Sequence, residues 1–138
     1  MQKKALSVAE DFLMENNLPA TDISEPMVEL FFGVLNGGVV ATIGRESYDQ
    51  DILLRSLAVK AAFRNMHIAS QMINYLLSLC KKGNIKSVYL LTTTAEKYFE
   101  KFGFKKIERP DVPGVIRETK EFKNLCPSSA IVMRKILS

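Results

Sequence analysis

An apolar run followed by a helical pattern sets the architecture this chain can adopt. Ile52 to Val59 carries apolar residues on both faces of a strand, which suits a central strand in a sheet covered on two sides. From Ile68 to Lys82 the period changes, and Ala69, Met72, Ile73, Leu76 and Cys80 fall on one side of a helix. Gly83 follows as the residue after the helix end, and Ser87 to Thr93 reads as the next strand.

The rest of the chain adds elements on either side of this unit. Lys3 to Asn16 places Ala5, Leu6, Ala9, Phe12 and Leu13 on one helical face, ended by Asn16-Asn17 and Pro19. Val28 to Leu35 and Val39 to Ile43 are rich in strand formers. Asn36-Gly37-Gly38 between them signals a hairpin, because both central turn residues need positive φ. Downstream, Ala95 to Phe102 is a short helix presenting Ala95, Tyr98, Phe99 and Phe102, and Gly103 ends it. Phe104 opens a further strand, Pro113 to Phe122 reads as another short helix, and Ala130 to Ile136 is the closing strand. No repeat or low-complexity linker divides residues 1–138, so one domain is expected. A hairpin mixed with strand–helix–strand units implies an α/β fold: a mixed sheet with helices on both faces.

Composition narrows the function classes. Cys80 lies in a helical apolar pattern, Cys126 in a Leu-Cys-Pro turn, and neither belongs to a C-x-x-C motif. With His67 as the single histidine, no metal is expected. No apolar run approaches the roughly 18 residues that cross a bilayer. Gln2-Lys3-Lys4 opens an amphipathic stretch rather than a signal peptide, so the expectation is a soluble, cytoplasmic chain without a membrane partner. The net charge of +4 is dispersed: Lys81-Lys82 close a helix, Lys97 and Lys101 share a helix face, and Lys105-Lys106 follow a turn. In the absence of a long basic block, nucleic acid is not expected as a partner, and an anionic cofactor accounts for the charge at least as well.

The stretch Leu57-Ala58-Val59-Lys60-Ala61-Ala62-Phe63-Arg64-Asn65-Met66-His67-Ile68-Ala69 resembles the signature loop of the GNAT acetyltransferases. That loop runs Val-x-Pro-x-x-Arg-Gly-x-Gly-Ile/Leu-Gly/Ala, and Val59, Arg64, Ile68 and Ala69 match it. Tyr98-Phe99-Glu100-Lys101-Phe102-Gly103-Phe104 is similar to the family's Tyr-Glu-Lys-x-Gly-Phe block. The resemblance covers the chain from about Val28 onward. Leu91 to Glu96, reading Leu-Thr-Thr-Thr-Ala-Glu, and the tail from Val112 to Pro127 further resemble the branch of arsenic-resistance N-acetyltransferases.

This resemblance implies the GNAT acyl-CoA N-acyltransferase fold, acetyl-CoA as co-substrate, and transfer to a primary amine of a small molecule. The amides of Arg64, Asn65, Met66, His67, Ile68, Ala69 and Ser70 would surround the pyrophosphate at a helix N-terminus, with Arg64 adding its charge. The backbone of Leu57, Ala58 and Val59 would bond the pantetheine arm like an added strand. Splaying of the Ser87–Thr93 strand from that one would admit the arm, and one exposed N–H would stabilise the oxyanion. By the same resemblance Phe99 would stand beside the cofactor, at a position where many members have the tyrosine that protonates the leaving thiolate. Tyr98, its neighbour, is the candidate acid in its place.

The acceptor side is less defined. Arg55, in the central strand, is either ion-paired in the core or a clamp for a substrate carboxylate. Arg117 and Arg45 are further candidates for substrate binding, and Glu46 or Glu96 for the general base. If the arsenic-type branch holds, the acceptor is the α-amino group of a small amino-acid-like molecule.

Three features depart from the family pattern. Asn65 and His67 replace loop glycines, which allow unusual φ and close ligand approach. Phe99 lacks the hydroxyl. The chain also starts almost directly in its first helix, without the family's opening strand, leaving a sheet edge that invites a homodimer. The alternative reading is a catalytically weakened GNAT-fold module that binds a ligand or partner.

Overall fold

The computed structural model describes residues 28–35, 37–64, 66–119, 122–123 and 130–137. The expected helix Lys3 to Asn16, together with Asn36, Asn65 and Cys126, lies outside the described residues.

Among the described residues six strands form one sheet: β1 (Val28–Leu35), β2 (Gly38–Tyr48), β3 (Asp51–Val59), β4 (Ser87–Thr92), β5 (Lys105–Ile107) and β6 (Ile131–Ile136). Their spatial order is β1-β2-β3-β4-β6-β5. Helix α1 (Ile68–Lys82) connects β3 to β4, α2 (Glu96–Glu100) precedes β5, and α3 (Gly114–Arg117) lies between β5 and β6. Among the described strands only β3 and β4 pair in parallel, as a strand–helix–strand crossover requires. The α/β class with a mixed sheet is the one the sequence implies.

Strand alternation divides the core between two faces. Ile52 and Leu54 of β3, Val88 and Leu90 of β4 and Met133 of β6 pack with Met72, Ile73, Leu76 and Cys80 of α1 and with Phe99 of α2. The intervening Leu53, Tyr89 and Val132 pack on the opposite face with Val112, Ile116 of α3 and Phe122. Helices therefore cover both faces, and β3 is central, as its two-sided apolar character indicates.

Several boundaries differ from the sequence reading. β2 continues to Tyr48 because Arg45 to Tyr48 pair with Asp51 to Leu54 across a second hairpin. The backbone that leaves α1 is left-handed at Asn84 (φ 61°), while Gly83 stays at φ −86°. The expected helix from Pro113 to Phe122 is short. Thr119 ends it, its hydroxyl donating to the Ile116 carbonyl (2.8 Å) and accepting from the Phe122 N–H (3.1 Å).

Candidate functional site

The loop between β3 and α1 carries the backbone feature on which the site depends. His67, immediately before α1, adopts φ 60° and ψ 20°, the left-handed conformation that a glycine takes most easily. The loop thus keeps a glycine-type turn at a non-glycine residue. The His67 carbonyl accepts the N–H of Gln71 (3.1 Å) and the hydroxyl of Ser70 (2.9 Å). The amides of Ile68, Ala69 and Ser70 precede the first helical bond, so they have no partner within α1.

A cleft of about 600 Å³ opens above this helix end. Val59, Arg64, His67, Ile68, Ala69, Ser70 and Tyr98, all singled out from sequence, line it together with Phe63, Lys101 and Phe102. Arg64 and Lys101 supply positive charge, and among the described residues no carboxylate lines the cleft. Orphan helix amides beside two cations are the donor set of an anion site. The residues present therefore fit the pyrophosphate of a coenzyme A-type molecule.

Below the cleft, β3 and β4 part. Their parallel register holds Asp51 to Ser87, Ile52 to Val88 and Leu53 to Tyr89, then stops, although β3 runs on to Val59 and β4 to Thr92. On its other side β3 stays paired with β2 and bulges there: Thr42 is opposite Ala58 and Gly44 opposite Arg55, so Ile43 faces both Ser56 and Leu57. Ser56 is left-handed (φ 59°) and buried. The Thr42 hydroxyl donates to its carbonyl (2.7 Å), and Arg55 Nε donates to its side-chain oxygen (3.0 Å). Past the bulge, the Lys60 N–H donates to the Val40 carbonyl (2.8 Å) toward β2, and the Val59 carbonyl accepts Arg64 Nε (3.1 Å).

Tyr98 is half-buried, with edge-on ring contacts to Phe99 (5.7 Å) and Phe102 (5.3 Å). Burial pushes its phenol pKa up, so the hydroxyl stays protonated through neutral pH. Phe99 packs inward against Phe104 (5.9 Å) and does not line the cleft. Its place is set by α2, where adjacent positions diverge by about 100° around the axis.

Other candidates fall elsewhere. Ala58 is buried, Leu57 half-buried, and Met66 is 53% exposed; none of the three lines the cleft. Arg55 takes the ion-paired alternative, with Nη1 3.1 Å from Glu46 Oε2, on the sheet face away from α1. Glu46 also accepts the Tyr48 hydroxyl (2.7 Å), so this candidate base is held in a buried network. Arg117 is exposed on α3, outside the cleft. Arg45 pairs with Glu29 (2.9 Å) near the β1 edge. Burial raises the pKa of the Cys80 thiol although Arg45 opposes it, which keeps the sulfur neutral and unsuited to nucleophilic work. Among the described residues no three His, Cys, Asp or Glu side chains cluster to hold a metal ion. No described helix is long and apolar enough to cross a membrane.

Phe63 and Lys101 of the cleft were not legible as ligand-facing. The signal available was the place of Phe63 one residue before Arg64, and the spacing of Lys101, the residue capping α2, three residues beyond Tyr98.

Comparison with known proteins agrees with this geometry. The chain is 26% identical over 114 residues to N-alpha-acetyltransferase 50 of Danio rerio, a match covering 78% of this chain and 62% of that relative. The chain thus spans less than two thirds of that protein's length. An acetyltransferase of the GNAT family from Staphylococcus aureus Mu50 superposes with a TM-score of 0.78 at 19% identity, covering 100% of this chain and 96% of that one. Rv2747 from Mycobacterium tuberculosis, crystallised in complex with CoA, gives 0.80 at 17% identity over 99% and 96%. The acetyltransferase (GNAT) domain profile matches residues 28–106, from the first strand of the sheet through the Tyr98–Phe104 block and into β5. A match over more than half of the sequence, on a sheet that parts where a cofactor arm would enter, makes this chain a member of the GNAT acetyltransferase family.

Proposed function

We propose that the protein is an N-acetyltransferase that moves the acetyl group of acetyl-CoA to a primary amine of a small molecule. The transfer runs by direct attack of the amine in a ternary complex. One observation carries this reading: the cleft at the α1 N-terminus, lined by Arg64 and Lys101, adjoins the gap where β3 leaves β4. Rv2747 in complex with CoA supports the choice of cofactor. Acetyl-CoA, when bound, supplies the activated acyl group.

The chain's own residues divide the work. The amides of Ile68, Ala69 and Ser70 and the side chains of Arg64 and Lys101 hold the pyrophosphate. The β3 backbone from Leu57 to Val59 orients the pantetheine arm in the gap. An N–H in that stretch polarises the thioester carbonyl and takes up charge as the amine attacks. Tyr98, kept protonated by burial, gives a proton to the departing thiolate and is reprotonated, through solvent, by the proton that the attacking amine loses as the C–N bond forms. Phe63, Tyr98 and Phe102 exclude water along the cleft wall.

The test is steady-state acetyl transfer across a panel of small primary amines, amino acids first, at saturating acetyl-CoA. Transfer to any of them supports the reading, and no thioester loss with any amine counts against it. A second reading, a ligand-binding module that has lost catalysis, is favoured by Phe99, which presents no hydroxyl and points into the core. It predicts cofactor binding without turnover in the same assay.

A further inference from the structure

Ser56 is an unusual residue for the middle of a sheet. It is buried, in the central strand, and left-handed, where a side chain is disfavoured. A conformation of this kind persists when its surroundings over-determine it. Two bonds do so here: Thr42 holds the Ser56 carbonyl, and Arg55 holds the Ser56 side-chain oxygen.

We propose that Thr42 is a positioning residue for acyl transfer, whose hydroxyl fixes the Ser56–Leu57 peptide so that the Leu57 N–H faces the gap between β3 and β4. The proposal rests on the acyl-transfer reading above. Its geometry follows from the planarity of the peptide bond. All described peptide bonds are trans, so a carbonyl and the next N–H point in opposite directions. The Ser56 carbonyl points at Thr42, which lies on β2. The Leu57 N–H therefore points away from β2, toward the side that β4 has left.

The neighbouring residues agree. Lys60 directs its N–H to Val40 on β2, which places the preceding Val59 carbonyl on the opposite side, where Arg64 bonds it. Leu57 and Val59, two residues apart in the strand beyond Ser56, direct their N–H groups to the same side by ordinary alternation. A flip of the Ser56–Leu57 peptide would turn that N–H back toward β2 and put a carbonyl in the gap. A carbonyl oxygen there repels the charge that a thioester oxygen develops, whereas an N–H stabilises it. The Thr42 hydroxyl opposes that flip because it can donate to the carbonyl in one orientation only. Arg55 does not replace it, since Arg55 grips the side chain and leaves the peptide free to turn.

The experiment compares Thr42→Val, which keeps shape and removes the hydroxyl, with Thr42→Ser, which restores it. In Thr42→Val, kcat should fall about tenfold or more, with the acetyl-CoA Kd within about twofold of the parent. Thr42→Ser should recover kcat to within about threefold. The second readout needs no turnover: the difference between the Leu57 amide resonance with acetyl-CoA and with CoA, in 15N-labelled protein. That difference should collapse in Thr42→Val and return in Thr42→Ser. Should Thr42→Val not fold, Thr42→Cys, a weak S–H donor of similar size, takes its place and should fall between the other two.

The proposal is overturned if Thr42→Val keeps both kcat and the Leu57 difference, or if Thr42→Ser fails to restore them. A parent protein that transfers to no amine sinks the acyl-transfer reading instead, and the Leu57 resonance still decides whether Thr42 sets the peptide.

Discussion

Arg55 Nη1 stands 3.1 Å from Glu46 Oε2, and the two side chains are 0% and 3% exposed. Glu46 is completed by the Tyr48 hydroxyl and Arg55 by the Ser56 side-chain oxygen. The charges are buried together on the sheet face opposite α1, so removing one strands the other. Glu46→Gln should lower unfolding free energy by about 3–5 kcal/mol in urea titration. Replacing both, by Arg55→Met with Glu46→Leu, should recover most of that loss. A double mutant no better than Glu46→Gln would show that the pair is not acting as a unit.

His67 already holds the backbone angle that glycine would provide. His67→Gly therefore leaves the turn in place and removes an imidazole from the cleft wall. Acetyl-CoA affinity should rise about three- to tenfold by calorimetry. Unchanged affinity would show that the imidazole does not crowd the cofactor.

Lys101, the residue that follows α2, lines the cleft with its ammonium 5.9 Å from the Tyr98 ring centroid. Lys101→Ala should weaken acetyl-CoA binding about three- to tenfold at low salt, with a smaller difference at 0.5 M because screening shortens the reach of the charge. The measurement is a pair of titrations at the two ionic strengths.

Tyr98 gives a pH signature. Burial raises its pKa, and the acid role needs the protonated form, so activity is retained until pH passes above the ordinary tyrosine value of about 10. Tyr98→Phe should reduce kcat about 10–100-fold and abolish the alkaline limb of the pH–rate profile. The same alkaline limb in the variant would assign it to another group.

Where the sequence had one dominant periodicity, the fold was legible. The bounds of α1, Ile68 and Lys82, follow from a single apolar stripe, and β3 from its two-sided burial. Gly44 to Tyr48 is mostly polar and carries no strand signal of its own; its strand character comes from pairing with β3. Much of the cleft was legible too, because loop and helix N-terminus lie in one stretch of chain. The bulge at Ser56 was not: serine has no left-handed signature, and the bond that holds it comes from Thr42, fourteen residues away. Phe99 and Tyr98 likewise differ by one position in a one-turn helix, and only packing decides which ring faces the cleft.

The most direct measurement is calorimetric titration of the purified protein with acetyl-CoA. The account predicts micromolar, one-to-one binding that weakens in Arg64→Ala and Lys101→Ala. No binding at millimolar acetyl-CoA would contradict it, leaving the GNAT fold in place and removing the chemistry assigned to the cleft.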